Sequence, residues 1–538
     1  MGGGSAGCVL AARLSEDPNR RVALLEAGRG DRSPWLHVPA GTLRLRGAHW
    51  NYAAEPDASR HGSVDPWRTG RVIGGGSSVN AMVWVRGHPA DFDGWAKAGA
   101  TGWDYASLLP YFRRAETWED GANDFRGGSG PQRVSWGRCQ HPVTDAFMEA
   151  AQQAGHPFNP DYNAERQEGA AFAQVSQRRG WRHSTARAYL SPARRRANLE
   201  VIQEAFVTRV LFEGQRAVGV EYRQGGELKR LRCTREVVVS AGTIASPKVL
   251  LASGVGAAGH LRDHGVPVVA DNPAVGRNLQ EHATTMMLWH VNVRTLNTEL
   301  TPWGFVRHGL NYALRGRGPA SASMGHALAF FRLDPDSPAT EVEAQFCPMG
   351  MLGSQGREDG DQLMPGTHDV TQMQLLSRPA VTVVNQLLHP EARGSIELRS
   401  ADPNDTPVIR HELFGCEADI ARLAAACRRV REIFESPALA PYLIGEALPG
   451  KTIQSDEEWE HYLRHAGWPG AHAVGSCSMG TDANPSASAL DPQLRVRGVT
   501  GLRVADASVM PSLPSGNTNA PVIAVAEKAA DLIRASQP

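Results

Sequence analysis

Gly2-Gly3-Gly4-Ser5-Ala6-Gly7 opens the chain with the pattern G-x-G-x-x-G, and Cys8-Val-Leu-Ala-Ala-Arg-Leu14 and Val22-Ala-Leu-Leu25 follow it. The small-residue run reads as a helix. The apolar run reads as a buried strand, because a parallel strand covered on both faces is continuously apolar rather than alternating. Glycines at these positions permit a tight turn, let backbone N–H groups approach a pyrophosphate, and let the helix pack closely; the helix N-terminus adds positive potential. Glu26 ends the strand, 19 residues after Gly7, where a carboxylate can accept both ribose hydroxyls. The pattern therefore predicts that Gly2, Gly4, Ser5, Ala6, Gly7 and Glu26 hold an adenine dinucleotide, without saying which. The chain begins at Met1 directly on this turn, so the sheet is expected to lack its central first strand, and cofactor affinity or stability to suffer.

At 538 residues the chain has room for two large domains. With 41% apolar and 21% charged residues it has an ordinary globular composition. Its 56 basic and 56 acidic residues cancel, which points to a small uncharged substrate rather than nucleic acid or an anionic membrane. Seven scattered cysteines contain no C-x-x-C pair, so a reducing, cytoplasmic setting is expected. No apolar run approaches the ~18 residues of a membrane span, and no secretory leader is visible.

Further along, Glu236-Val-Val-Val239, Ala241-Gly242 and Ser246-Pro247 read as strand, turn and helix start, with Ser as N-cap and Pro in the first turn. Phe206 to Tyr222 reads as a hairpin around Glu213-Gly214. Ala380–Asn385 and Gly394–Leu398 read as strands. Ile420, Leu423, Ala424, Cys427, Val430 and Phe434 fall on one helical face. Gly501–Val504 returns to strand before a helix opened by Pro521. This order predicts an α/β, two-domain molecule: a discontinuous Rossmann-like domain over 1–145, 201–285 and 491–538, and a substrate domain over 146–200 and 286–490 with a mainly antiparallel sheet and flanking helices.

Two longer stretches name a family. Gly70-Arg-Val72-Ile-Gly74-Gly75-Gly76-Ser-Ser-Val79-Asn80, continuing through Ala81-Met82-Val83 to Arg86-Gly87 and Asp93, resembles the first signature of the glucose–methanol–choline (GMC) oxidoreductases. Gly242-Thr243 with Ser246-Pro247 and Ser253-Gly-Val-Gly256 resembles the second, and Val275-Gly-Arg-Asn-Leu-Gln-Glu281-His282 agrees. The resemblance implies FAD as cofactor. It implies flavin contacts from Val72, Gly75 and the Asn80–Val83 segment, adenine pairing by the Val207 backbone, and an approach of Ala505, Asp506 and Thr518 to the rest of the cofactor. The residue before Asn80 is Val79, where some members carry a covalently linked His, so non-covalent FAD is expected.

The resemblance also implies a catalytic pair. His472, in Gly470-Ala-His-Ala-Val-Gly-Ser-Cys-Ser-Met-Gly480, matches the active-site His block, and Asn517, in Ser515-Gly-Asn-Thr-Asn-Ala-Pro521, matches its partner. Asn519 would cap the helix that follows. Oxidising a primary alcohol to an aldehyde removes a hydroxyl proton and delivers the α-hydrogen as hydride to flavin N5. A neutral imidazole near its ordinary pKa of roughly 6.5 can take the proton, and Asn517 can donate to the developing alkoxide. The acceptor of the electrons is expected to be O2 or a quinone or dye, and the assembly a monomer or small homo-oligomer. Hydroxynitrile lyase-type or other non-oxidative flavin chemistry is the alternative. Light-driven decarboxylation is a further one, which retention of His472 with Asn517 argues against.

Three other patterns carry less. Gly445-Glu-Ala-Leu-Pro-Gly-Lys-Thr452 matches a P-loop by letter, but lacks a buried strand before it and a helix starting at the Lys. His461 and His465 lack the Glu that a zincin helix places after the first His, so no metal is expected. Arg194-Arg195-Arg196 reads as an exposed positive patch near a chain reversal.

Overall fold

In the computed structural model, residues 1–45, 47–299, 301–353, 356–359, 362–364, 373–481 and 485–536 are described. Two cores organise them. The first is built on two short parallel pairs, Val22–Leu25 with Leu199–Ile202 and Val237–Val239 with Leu502–Val504. Residues 1–4 form no strand. Instead the Gly2 amide donates to Leu25 O (2.8 Å) and the Ser240 amide to Met1 O (2.8 Å), so this short backbone bridges the two pairs.

The helix Ser5–Leu14 buries Ala6 to Ala12 without a break, as a helix enclosed on all sides must. It packs with the C-terminal helix Asn519–Ala535 in that core. Buried Glu527 pins the pair, accepting from Arg13 Nη2 (2.8 Å) and the Tyr189 hydroxyl (2.8 Å). The helix after Val237–Val239 begins at Gly242, not at Ser246-Pro247, and runs to Ala252. Pro247 has no N–H to give the Thr243 carbonyl; the Ser476 hydroxyl donates there instead, which lets a proline sit mid-helix.

The second core is an antiparallel sheet in the order Leu443–Leu448, Ala283–Val291, Ala380–Leu387, Val342–Cys347, Ala327–Phe331, Gly169–Phe172, with Trp468–Pro469 beside the start of Ala283–Val291. The helices Pro142–Gln153 and Glu417–Phe434 cover one face, and Ile420, Leu423, Ala424, Cys427, Val430 and Phe434 are all buried against it. Strand side chains alternate. Val342, Ala344 and Phe346 therefore face the helices, while Glu343 and Gln345 point the other way, toward the first core. The Phe206–Glu213 and Arg216–Gln224 hairpin forms as the sequence suggests. Gly445–Thr452 lies on an edge strand and the loop after it, and the next helix begins at Asp456 with Ser455 and Glu458 forming its capping box. No helix among the described residues is long and apolar enough to cross a membrane.

Candidate active site

Between the two cores lies a cavity of about 500 Å³. Gly2, Gly4, Ser5, Ala6 and Glu26 line it, and so do Gly75 and the Asn80, Ala81, Met82, Val83 segment. Val207, Asp506 and Thr518 join them from three other elements, and His472 and Asn517 open onto the same space. Gly7, Val72 and Ala505, also expected at the cofactor, are not among the residues that line it. Gly7 backs the turn: a Cβ there would stand 1.8 Å from Gly2 O. Val72 is buried and bridges to Arg29, and the Ala505 amide completes the parallel pair through Val239 O (2.8 Å).

Local chemistry fixes the lining groups. Glu26 accepts the amides of Gly3 (2.7 Å) and Gly28 (2.6 Å), one on each oxygen, which ties the glycine turn to the strand end. Each oxygen keeps a second lone pair for a ligand, and burial pushes its carboxyl above the ordinary range. Asp506 sits at the start of the helix Gly242–Ala252, accepting from the Gly242 amide (2.9 Å) and the Ser246 hydroxyl (2.6 Å). Asn80 Oδ1 accepts the Met82 amide (3.1 Å) and Arg182 Nη1 (2.8 Å). That grip holds Met82 at φ 67°, a conformation a non-glycine residue adopts only where its surroundings impose it. Asn519 is the first residue of its helix rather than its cap, and accepts the Ser5 hydroxyl (3.0 Å).

At His472 the hydrogen bonds decide the tautomer. Asn517 Nδ2, which can only donate, lies 3.0 Å from Nε2. Nε2 therefore carries a lone pair and Nδ1 the proton, which points at His282 Nδ1, 3.0 Å away. The backbone is held as well, since the His472 amide donates to Glu281 Oε1 (2.7 Å), which also takes the His282 amide (3.0 Å). Burial lowers the His472 pKa to about 4, away from the ordinary value the sequence suggests. Desolvation disfavours the cation. Burial raises Glu281 to about 8. His282 is pushed well below its usual range by burial and by His472 beside it.

Glu343 is the other unusual group. Both carboxylate oxygens are buried without a hydrogen-bond partner, and burial raises its pKa to about 8. It shares a strand face with Gln345 and stands opposite Gln386, both of which line the cavity. Oε2 lies 3.2 Å from where a side chain on Gly516 would begin, one residue from Asn517. The unfolded carboxyl titrates near ~4.3. From there up to a pH of about 8 the folded chain keeps a proton that the unfolded chain has lost, so stability falls as pH rises through this window. Glu343→Gln should consequently raise the thermal midpoint near the top of that window and leave it nearly unchanged near its foot. An equal shift at both would contradict this reading.

Sequence motifs alone do not single out Glu281, His282 or Glu343 as site residues. Glu281-His282 stands inside the family-like block Val275–His282, which is a signal for that pair; for Glu343 only the fold brings it near Asn517.

Family models described as GMC oxidoreductase match residues 1–284 and 390–526. The chain is 42% identical over 545 residues to a mitochondrial choline dehydrogenase of Mus musculus, covering 99% of this chain and 88% of that one. It is 38% identical over 542 residues to an oxygen-dependent choline dehydrogenase of Brucella canis, covering 100% and 95%. Among solved structures, pyridoxine 4-oxidase from Mesorbium loti superposes with TM-score 0.86 at 28% identity, covering 98% of this chain and 97% of that one. A variant of Aspergillus oryzae formate oxidase studied for FAD modification superposes with TM-score 0.90 at 25% identity, covering 100% and 97%.

Proposed function

Since the chain belongs to the GMC oxidoreductase family, we propose that it oxidises a primary alcohol to the aldehyde in the cavity between its two cores, with His472 as the base. It is an FAD-dependent enzyme acting on CH–OH donors. The cradle suits that cofactor: a Cβ on Gly4 would meet only Gly75 Cα, at 3.8 Å, so the free side of the glycine turn opens to the cavity. Gly2 to Ala6 would receive the phosphates, Glu26 the ribose, the Val207 backbone the adenine, and Asn80 to Val83 with Thr518 the flavin. Non-covalent attachment is part of the proposal, as is the division of the chain into three FAD-binding and two substrate segments. When bound, FAD supplies the acceptor for the substrate's α-hydride.

The observation that carries this reading is the oriented lone pair on His472 Nε2. An alcohol hydroxyl reaching it replaces Asn517 Nδ2 as the donor and gives up its proton there. The released Asn517 amide can then donate to the alcohol oxygen, where negative charge develops, a contribution that is large in a dry site. His282 Nδ1 accepts from His472 Nδ1 throughout, holding the ring in the tautomer the reaction needs. The relatives and neighbours described above are named as dehydrogenases and oxidases, so lyase chemistry finds no support among them.

Choline is the alcohol we put first, because its name is on the two relatives and because Glu343 is a buried carboxyl with no cation of its own. A quaternary ammonium beside Glu343 would pull its pKa down and ionise it. Choline should then show a KM at least about tenfold below that of dimethylbutanol, its neutral isostere, matching roughly 1.4 kcal/mol of ionic preference. Glu343→Gln should erase the difference. Equal KM values for the two alcohols in the parent enzyme would remove Glu343, and choline, from the account. Peroxide measured during turnover separates O2 from a quinone or dye as the electron acceptor.

A further inference from the structure

Separated from the active-site cavity by the Arg182–Asn80 contact, the short hairpin Gln177–Arg178 with Trp181–Arg182 and the turn of helix Ala186–Leu190 line a second cavity of about 720 Å³. Arg178, Arg179, Arg182, Arg187 and Arg195 line it together with His183, and no carboxylate among the described residues does. Arg178, Arg179, Arg187 and Arg195 are exposed at its rim, whereas Arg182 is 1% exposed. Arg182 Nη1 is held by Asn80 Oδ1, but Nε and Nη2 are buried with no hydrogen-bond partner. A buried guanidinium with two unused donors and no anion is costly as it stands. Burial alone lowers its pKa, to about 9. His183 is also prepared to donate: its Nδ1 accepts the Arg133 amide (3.1 Å), which leaves the proton on Nε2. Burial and the charges of Arg178 and Arg187 hold this ring neutral, with a pKa of about 4.

We propose that this cavity binds a phosphate-class anion, with Arg182 as its buried fork and Arg178, Arg187 and Arg195 closing over the charge. Planar guanidinium forks match phosphate oxygens two at a time, and the unused Nε and Nη2 of Arg182 are such a pair. The phosphate could be free in solution or belong to a lipid headgroup. The second source is raised by the neighbouring helix Pro302–Arg315, which packs on the hairpin through Tyr312 and Trp181 (ring centroids 5.1 Å apart) and exposes Trp303, Val306, Leu310 and Leu314.

The test uses the FAD-loaded full chain. Calorimetric titration with inorganic pyrophosphate at low ionic strength should show one saturable site. Arg182→Lys keeps the charge but loses the fork, and should weaken binding at least tenfold. The triple variant Arg178→Gln, Arg187→Gln, Arg195→Gln should weaken it further while leaving alcohol oxidation unchanged. Co-sedimentation with phosphatidylglycerol vesicles, set against phosphatidylcholine vesicles, tells the sources apart. Capture lost in the same variants assigns the site to a headgroup; pyrophosphate binding without capture assigns it to a soluble phosphate. Neither binding nor capture, or binding that is indifferent to Arg182→Lys, overturns the proposal.

Discussion

Replacing His472 by alanine is expected to slow flavin reduction by an alcohol about a hundredfold or more, the ordinary worth of a positioned acid–base group, while FAD stays bound. The substitution removes the ring whose Nε2 lone pair is offered to the cavity beside Asn517. The glycine turn, Glu26 and Asp506 are left untouched. The pH dependence should change with it. In the parent the base must be unprotonated, and burial places its pKa at about 4. With a neutral alcohol, which needs no charge on Glu343, its kcat/KM should thus hold as pH falls through neutrality and decline about tenfold per unit only below that pKa. The alanine variant should lack that acid limb. A reduction rate within a few-fold of the parent, or an acid limb that survives the substitution, would remove His472 from its role.

Gly7→Ala should be nearly as damaging, for a different reason. The added Cβ would lie 1.8 Å from the Gly2 carbonyl oxygen, which already accepts the Ser240 hydroxyl (2.9 Å). Backbone cannot rotate out of the way as a side chain can, so the turn must open. Overpacking of this kind costs about 1–3 kcal/mol or more, and each 1.4 kcal/mol is about tenfold in affinity. The variant should retain under about a tenth of the parent's affinity for FAD, with a lowered thermal midpoint. Gly4→Ala is the control. Its Cβ would meet only Gly75 Cα at 3.8 Å, so the apoprotein should fold as the parent does and lose FAD affinity alone. Normal FAD content and thermal midpoint in Gly7→Ala would refute the packing role given to that position.

The N-terminal unit was legible because each of its signals is local: a glycine turn, a small-residue helix, a four-residue apolar strand and an acid at its end. The helical face of Ile420 to Phe434 was legible for the same reason. Local reading failed where a distant partner decides. Ser246-Pro247 looks like a helix start, yet the Ser476 hydroxyl stands in for the missing proline N–H and the helix begins at Gly242. Asn519 looks like a cap, yet its oxygen is taken by Ser5 from the other end of the chain. Gly7, Val72 and Ala505 stand behind the residues that line the cavity, a distinction a motif does not draw. At the catalytic centre, flanking residues point to His472, but the depressed pKa and the His282 contact arise from burial and from a pairing 190 residues apart. Nothing in the alternation of Val342 to Cys347 says that Glu343 meets no partner.

The most direct measurement is to mix the FAD-loaded enzyme with choline and with simple primary alcohols in the absence of oxygen and follow the visible absorbance of the oxidised flavin. The flavin should bleach, with one aldehyde formed per flavin reduced. An oxidised spectrum that persists with every alcohol, accompanied by cyanide release from a cyanohydrin, would contradict it.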